Sequence, residues 1–509
     1  MPIVCLPPPA RHRNLILGAI CLAALVLPMS FTGGAVATPA IGQAFAATPA
    51  ALAWITNAFM LSFGSLLMAA GALADRYGRK RFFVGAMAMF ALVSLLLSTA
   101  TSIVWIDLLR AAQGLAAAAA LSSGSAALAQ VFEGRSQTRA FSVLGATFGV
   151  GLAFGPMACG ALIEHWGWRA LFVATAMLAG ASLLLTLPLM TESRDSSAQP
   201  LDLGGMLTFS AALATFTTAI ILAPESGWTS ATVAALLGAS VLCLAAFILV
   251  ERRAPWPMLD LGLFAFPRFI GVQLLPIGTC YCYIVLIMLL PLRLIGIEGA
   301  SAFEAGLMSL ALSAPLLVVP LVAAMLTRWC SPAGLCATGF LIAATGLYWL
   351  STLVATDGHT TVAALLLIGT GTALPWGLMD GLAMSVVPKQ RAGMAAGIFN
   401  TARVAGEGVA LAVCIALLGA LVADELALSA PSTPGLANLA QRLVMGDIDH
   451  AASPIPVDVL RSAYEAGFNR LLRGLAVFTV LTAGVIFVFL REREGLPQRR
   501  QLMESPRRN

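Results

Sequence analysis

Five ionisable side chains fall inside stretches that are otherwise apolar, and three of them have a spacing suited to moving protons. Glu407 follows Arg403 by four residues, which puts both on one face of a helix. Asp380 lies in the preceding apolar stretch, nine residues before Lys389, or ~13 Å along a helix at about 1.5 Å per residue. Arg403 lies twelve residues after Arg391, ~18 Å by the same rise. Half of a hydrocarbon layer about 30 Å thick is ~15 Å. Asp380 and Arg403 are therefore expected at one depth, in contact across neighbouring antiparallel helices, with Glu407 a turn further along. A carboxylate so placed is pulled two ways: shielding from water favours its neutral form and an adjacent arginine its anion. Water entering, or a ligand displacing the arginine, would load or release a proton. Asp380 is the expected principal carrier, Glu407 the second and Arg403 their switchable partner. A salt bridge that only packs helices is the other use of the same three residues. Asp107 and Arg110, one turn apart, make a further local pair; unpaired, an arginine at that depth would be costly.

The elements that hold these residues are read from hydropathy. The chain has 509 residues, 59% hydrophobic and 10% charged, with mean hydropathy +0.90. Soluble domains carry about 25% charged residues, so this is an all-α polytopic membrane protein. Runs of about 20 apolar residues give fourteen spans, the first over 15–37 and the last over 471–491. Lys and Arg gather in every second connection and at both ends (Arg76, Arg79, Lys80, Arg252, Arg253, Arg328 and the C-terminal arginines). That asymmetry places both termini in the cytoplasm. The run from Leu15 is read as an uncleaved first helix, since removing it as a leader would leave the pattern one span short. A net charge of +5 with dispersed basic residues argues against nucleic acid as a partner. The nine cysteines show no CxxC pair or metal spacing, and no metal or cofactor is implied.

Five charges gather in GALADRYGRKR, residues 71 to 81, between two long apolar runs. It cannot sit in hydrocarbon and must be a short loop at a membrane surface. Gly78 lets its backbone turn tightly. The pattern G-x-L-x-D-R-x-G-R-K, with Gly71, Leu73, Asp75, Arg76, Gly78, Arg79 and Lys80, resembles the signature loop of the major facilitator superfamily. DLLRAAQG places Arg110, Gln113 and Gly114 as in that superfamily's membrane-embedded arginine motif. GVGLAFGPMACG places Gly151, Gly155, Pro156 and Gly160 on the pattern of its drug-antiporter branch, with Cys159 where another glycine is usual. Asp202 to Phe269 resembles the two extra helices of fourteen-helix drug:proton antiporters, and RAGMAAGIFNTARVAGEG from Arg391 resembles their penultimate helix. Only residues 425–468 are left unmatched.

The resemblance implies the major facilitator fold. Residues 1–190 would form one six-helix bundle, 191–269 a linker with two extra central helices, 270–491 the second bundle with an exterior loop at 425–468, and 492–509 a cytoplasmic tail. A short helix is expected near Pro456 to Leu472. The resemblance also gives Asp75 a partner at the start of the helix near Gly393, where the helix dipole favours a carboxylate, and gives Arg76 and Arg79 gating contacts. It assigns Arg110 and Asp107 a role near the proton path. Gly145/Gly149 and Gly151/Gly155 have small-xxx-small spacing for close helix packing, and Pro156 should bend its helix. Ser30 stands where many relatives carry an aspartate, which argues against multiply cationic substrates. Trp54, Asn57, Phe59, Gln113, Trp376, Phe399 and Asn400 are the expected lining of an apolar cavity with sparse polar anchors.

The function this implies is a proton-coupled antiporter in a bacterial inner membrane. It would export small amphipathic compounds, drugs or toxic metabolites, as a monomer in the lipid bilayer. Periplasmic adaptor and outer-membrane components could join it as partners. A narrow-specificity metabolite or siderophore exporter is the alternative. An intramembrane enzyme fits less well, since the four histidines lie near expected loops and no HExxH occurs. A non-transporting sensor would need a soluble output domain, and no stretch is long enough for one.

Overall fold

The computed structural model describes residues 10–132, 134–193, 202–257, 259, 261–353, 358–386, 392–430, 435–448 and 455–491. Lys389, Arg391, Arg194 and the tail from 492 lie outside them. The first six helices are α1 (Ala10–Phe45), α2 (Pro49–Tyr77), α3 (Arg79–Ser98), α4 (Ile103–Val131), α5 (Gly134–Trp166) and α6 (Trp168–Leu189). An inserted pair follows, α7 (Leu203–Ser226) and α8 (Ala231–Arg253). The remainder comprises α9 (Pro267–Thr279), α10 (Val285–Gly296), α11 (Ala302–Ser313), α12 (Pro315–Leu326), α13 (Pro332–Leu350), α14 (Gly358–Ser385), α15 (Ala392–Ser429), α16 (Leu436–Val444) and α17 (Val457–Leu490). A π turn, Cys280–Ile284, joins α9 to α10 in one span, and Pro315 follows α11 so closely that α11 and α12 form another. Among the described residues fourteen helices are long and apolar enough to cross a membrane, in the order that hydropathy implies.

Local chemistry sets many of the ends. The side chains of Thr48, Ser102, Asp202, Ser230, Ser301 and Ser331 each accept a backbone N–H in the first turn of the helix they precede, the usual way to satisfy donors that a helix start leaves open. Ser301 and Glu304 form a reciprocal capping box.

α1 packs against α5 and α6, and α4 against α2 and α3, making one half; α13 packs on α14 and α17, and α15 on α17, in the other. The halves meet along α2–α15, α5–α11 and α1–α10, while α7 lies against both α2 and α15. One end of the bundle carries Gly78 and is called here the signature end. At the opposite end the halves touch closely. A Cβ on Gly306 would stand 2.5 Å from Met157 Cα, and Gly160 abuts the Ala302 carbonyl. Phe303 donates its backbone N–H to Glu164 at 3.3 Å.

Two extents differ from the hydropathy reading. α17 begins at Val457 and runs unbroken, so the short helix expected near Pro456 is its first turns. A separate helix, α16, lies earlier and is amphipathic, with Ala440, Gln441, Leu443 and Val444 buried. Nine residues are too few for a hydropathy window to register.

Candidate functional site

The signature loop is a hinge of one residue. α2 stops at Tyr77, Gly78 takes φ 120° and ψ 126°, and α3 starts at Arg79. That conformation is strained for any side-chain-bearing residue, and a Cβ there would also run into the Glu192 carboxylate. Glu192 accepts the backbone N–H groups of Lys80 and Arg81, both at 3.2 Å, and pairs with Arg81 at 3.5 Å. Arg79 N donates to Ser193 O at 3.0 Å. The first donors of α3 are thus met by the chain leaving α6, with a negative charge where the helix dipole favours one. Asp75 accepts from Arg79 Nε at 2.8 Å, and Arg79 reaches on to Gln130 of α4 at 3.3 Å. Arg76 is exposed over the Tyr77 ring. Side chains near Gly393, the expected partner of Asp75, lie outside the described residues. Glu192 escaped the sequence reading, because a single acid after an apolar run looks like any loop residue.

Arg110 is 0% exposed. Its Nε donates to Ile55 O at 2.8 Å, and its Nη1 to Gln113 Oε1 at 2.6 Å and to Ser30 Oγ at 3.2 Å. The guanidinium also lies 4.5 Å from the centre of the Phe59 ring. Gln113 Nε2 passes the chain on to Ser94 Oγ at 2.8 Å. The arginine therefore ties α1, α2 and α4 together through neutral groups. No ion pair with Asp107 forms, and Asp107 Oδ1 is buried without a hydrogen bond. The guanidinium turns toward the Ile55 and Ser30 carbonyls of α2 and α1, while its Nη2 is buried without a hydrogen bond. Of the expected local pair, an electrostatic attraction to Asp107 remains without a close contact.

In the second half, Arg403 Nη1 stands 3.5 Å from Asp380 Oδ1, with side-chain exposures of 13% and 59%. Arg403 also lies over Phe399, and Glu407, one turn on, is 8% exposed. Asp380 is nearer the signature end than the midplane estimate put it. α14 stops at Ser385, so five helical residues, ~7.5 Å at about 1.5 Å each, separate Asp380 from the helix end. The long arginine side chain spans the difference in depth. The π turn faces this group: Cys280 Sγ donates to Arg403 O at 3.8 Å, Tyr283 Oη to Ser313 Oγ at 2.7 Å, and Cys282 Sγ lies 3.3 Å from Thr372 Oγ1. A π turn in a helix is uncommon and marks a place where ordinary packing is overridden.

On α5, Gly151 and Gly155 receive α1 at Leu25, Pro28, Met29 and Thr32, and Gly160 receives α11. Gly145 and Gly149 have open space or bare van der Waals contact, so the first small-residue pair does not bring helices together. α5 continues as helix through Pro156, and Gly71 has only Ser122 within reach. Of the residues expected to line a cavity, Trp54, Trp376 and Asn400 are half-buried. Asn57, Phe59, Gln113 and Phe399 are 0% exposed and packed between helices. Helix periodicity could not separate a wall facing a cavity from one facing a neighbour. Gln273 on α9 was also missed; it is buried with neither amide atom hydrogen-bonded.

Among the described residues no cluster of three or more His, Cys, Asp or Glu could hold a metal ion.

Comparison with known proteins fits this architecture. A family model, Major Facilitator Superfamily, matches residues 20–411. The multidrug resistance protein Stp of Mycobacterium tuberculosis (strain ATCC 25618 / H37Rv) is 32% identical over 394 residues, 77% of this chain and 73% of Stp. The tetracenomycin C resistance and export protein of Streptomyces glaucescens is 29% identical over 408 residues, 80% of this chain and 76% of that protein. Among solved structures, a bacterial homologue of the human lysosomal transporter Spinster superposes with a TM-score of 0.68 at 16% identity, covering 95% of this chain and 98% of its own, a likeness of fold.

Proposed function

This chain belongs to the Major Facilitator Superfamily, and on that premise we propose that it exports small amphipathic compounds in exchange for protons by alternating access. The signature end faces the cytoplasm of a bacterial inner membrane in this reading. The relatives named above as drug-resistance and export proteins support the substrate class. The observation that carries the coupling is the Asp380–Arg403 pair, with Glu407 one turn further and buried. Arg403 has a carboxylate on either side and can neutralise one at a time. While it holds Asp380, Glu407 is the group free to carry a proton. Once substrate or water displaces it from Asp380, it can swing to Glu407 and expel that proton, so the two carboxylates share the work first expected mainly of Asp380. Arg110 forms no ion pair within 4 Å among the described residues; in this reading it holds the first half rigid while the halves rock.

The test is export of a fluorescent amphipathic dye from proteoliposomes with and without an imposed pH gradient. Asp380→Asn and Glu407→Gln should each abolish pH-driven accumulation while dye binding persists. Gradient-driven accumulation by both variants would put the coupling site elsewhere.

A further inference from the structure

Where α2 and α15 cross the boundary between the halves, small residues let the backbones meet. A Cβ on Gly64 would stand 2.6 Å from Ala405 N, and one on Gly408 3.0 Å from Met60 Cβ. Helical spacing extends this seam in both directions. Asn57 lies two turns from Gly64 on the same face, and Thr401 one turn from Ala405. Ala53 of α2 and Ala412 and Ala416 of α15 line one small cavity where the seam reaches the opposite end.

By that spacing the seam covers two polar atoms that have no hydrogen-bond partner. Asn57 is 0% and Thr401 4% exposed. Asn57 Nδ2 donates within its own helix to Ala53 O at 3.0 Å, leaving Oδ1 buried without a partner, and Thr401 Oγ1 is buried without one as well. Unsatisfied buried polar groups cost stability, and apolar groups of the same shape in their place can be neutral or stabilising. A leucine and a valine would therefore close this seam more firmly than the native residues do.

We propose that Asn57 and Thr401 weaken the closed α2–α15 seam so that it can part from the opposite end inward, admitting water that hydrogen-bonds Asn57 first. Thr401, on the signature side of the Gly64–Ala405 contact, is hydrated once the seam has opened along its length. They set the balance between the two conformations and take no part in substrate contact or proton transfer. This rests on the rocking motion proposed above, though not on its coupling to protons.

The experiment uses Asn57→Leu and Thr401→Val, which keep size and remove the polar atoms. The reporter is a cysteine introduced at Ala53, in a background lacking the native cysteines, labelled by a membrane-impermeant maleimide in intact cells. In each variant the labelling rate should fall about tenfold, the order expected when one unsatisfied buried group is relieved. The unfolding temperature in detergent should rise, and export should slow with substrate binding unchanged. Unchanged or faster labelling, or a lower unfolding temperature, overturns the proposal, since the polar atoms would then be bonded within the seam. Should Asn57→Leu fold poorly, Thr401→Val carries the test alone. A wild-type reporter that never labels overturns the rocking motion and this proposal with it. Slower labelling in variants of a protein that proves indifferent to a pH gradient supports the seam and refutes only the coupling.

Discussion

Gly71 and Gly78 belong to one motif, and the structure separates them. At Gly78, alanine must adopt φ 120° and place its methyl against the Glu192 carboxylate. Backbone strain of this kind costs about 1–3 kcal/mol. Moving Glu192 aside forfeits a helix cap worth about 1 kcal/mol, for a total near 2–4 kcal/mol. At Gly71 the nearest atom to an added Cβ is Ser122 Cβ at 3.7 Å, in the interior of α2. Alanine there meets no obstacle and gains roughly 0.5–1 kcal/mol of helix preference. The pair can be compared by thermal unfolding of the purified protein in detergent, with dye export measured alongside. Gly78→Ala should unfold several degrees lower and export poorly, while Gly71→Ala should match or exceed the native protein. Equal damage from both would mean that the motif's glycines act through contacts in another conformation; no damage at Gly78 would refute the hinge.

Three shorter tests accompany it. Asp75→Asn should impair export while membrane abundance stays nearly unchanged, since the side chain is about a third exposed and surface changes stay within about 0.5 kcal/mol; full export by a well-expressed variant would reduce the Asp75–Arg79 pair to a local tether. Gln273→Met should stabilise the fold by about 1 kcal/mol, read as a higher unfolding temperature, because an amide with both atoms unsatisfied is replaced by an apolar chain of similar reach; a drop would reveal a bound water. Single cysteines at Ser196 and Thr433 should label from the cytoplasmic and external sides respectively, and external labelling of both in intact cells would end the proposed orientation.

What the sequence made legible follows from range. The fourteen spans could be read because each depends on about twenty consecutive residues meeting one solvent, and the signature loop because five charges interrupt that solvent within eleven residues. The proximity of Arg403 to Asp380 could be anticipated from rise per residue, although its depth could not, since that turned on α14 ending at Ser385. Glu192 capping α3 from over a hundred residues away, Arg110 reaching Ser30 and Ile55, and Gly64 meeting Ala405 all depend on which helices become neighbours. Spacing along one helix names a face without naming what the face meets.

The placement of α7 carries one more consequence. It lies against α2 on one side and α15 on the other, so it cannot travel with both when they separate. Whichever half it leaves presents a freshly uncovered apolar strip, lined near the opposite end by residues such as Ile220, Ile221 and Ile415. In a bilayer, acyl chains are the molecules at hand to wet that strip. Under the rocking motion proposed above, each turn of the cycle would draw lipid into a widening crevice and squeeze it out again, which would make the viscosity and packing of the surrounding membrane a component of the machine's speed.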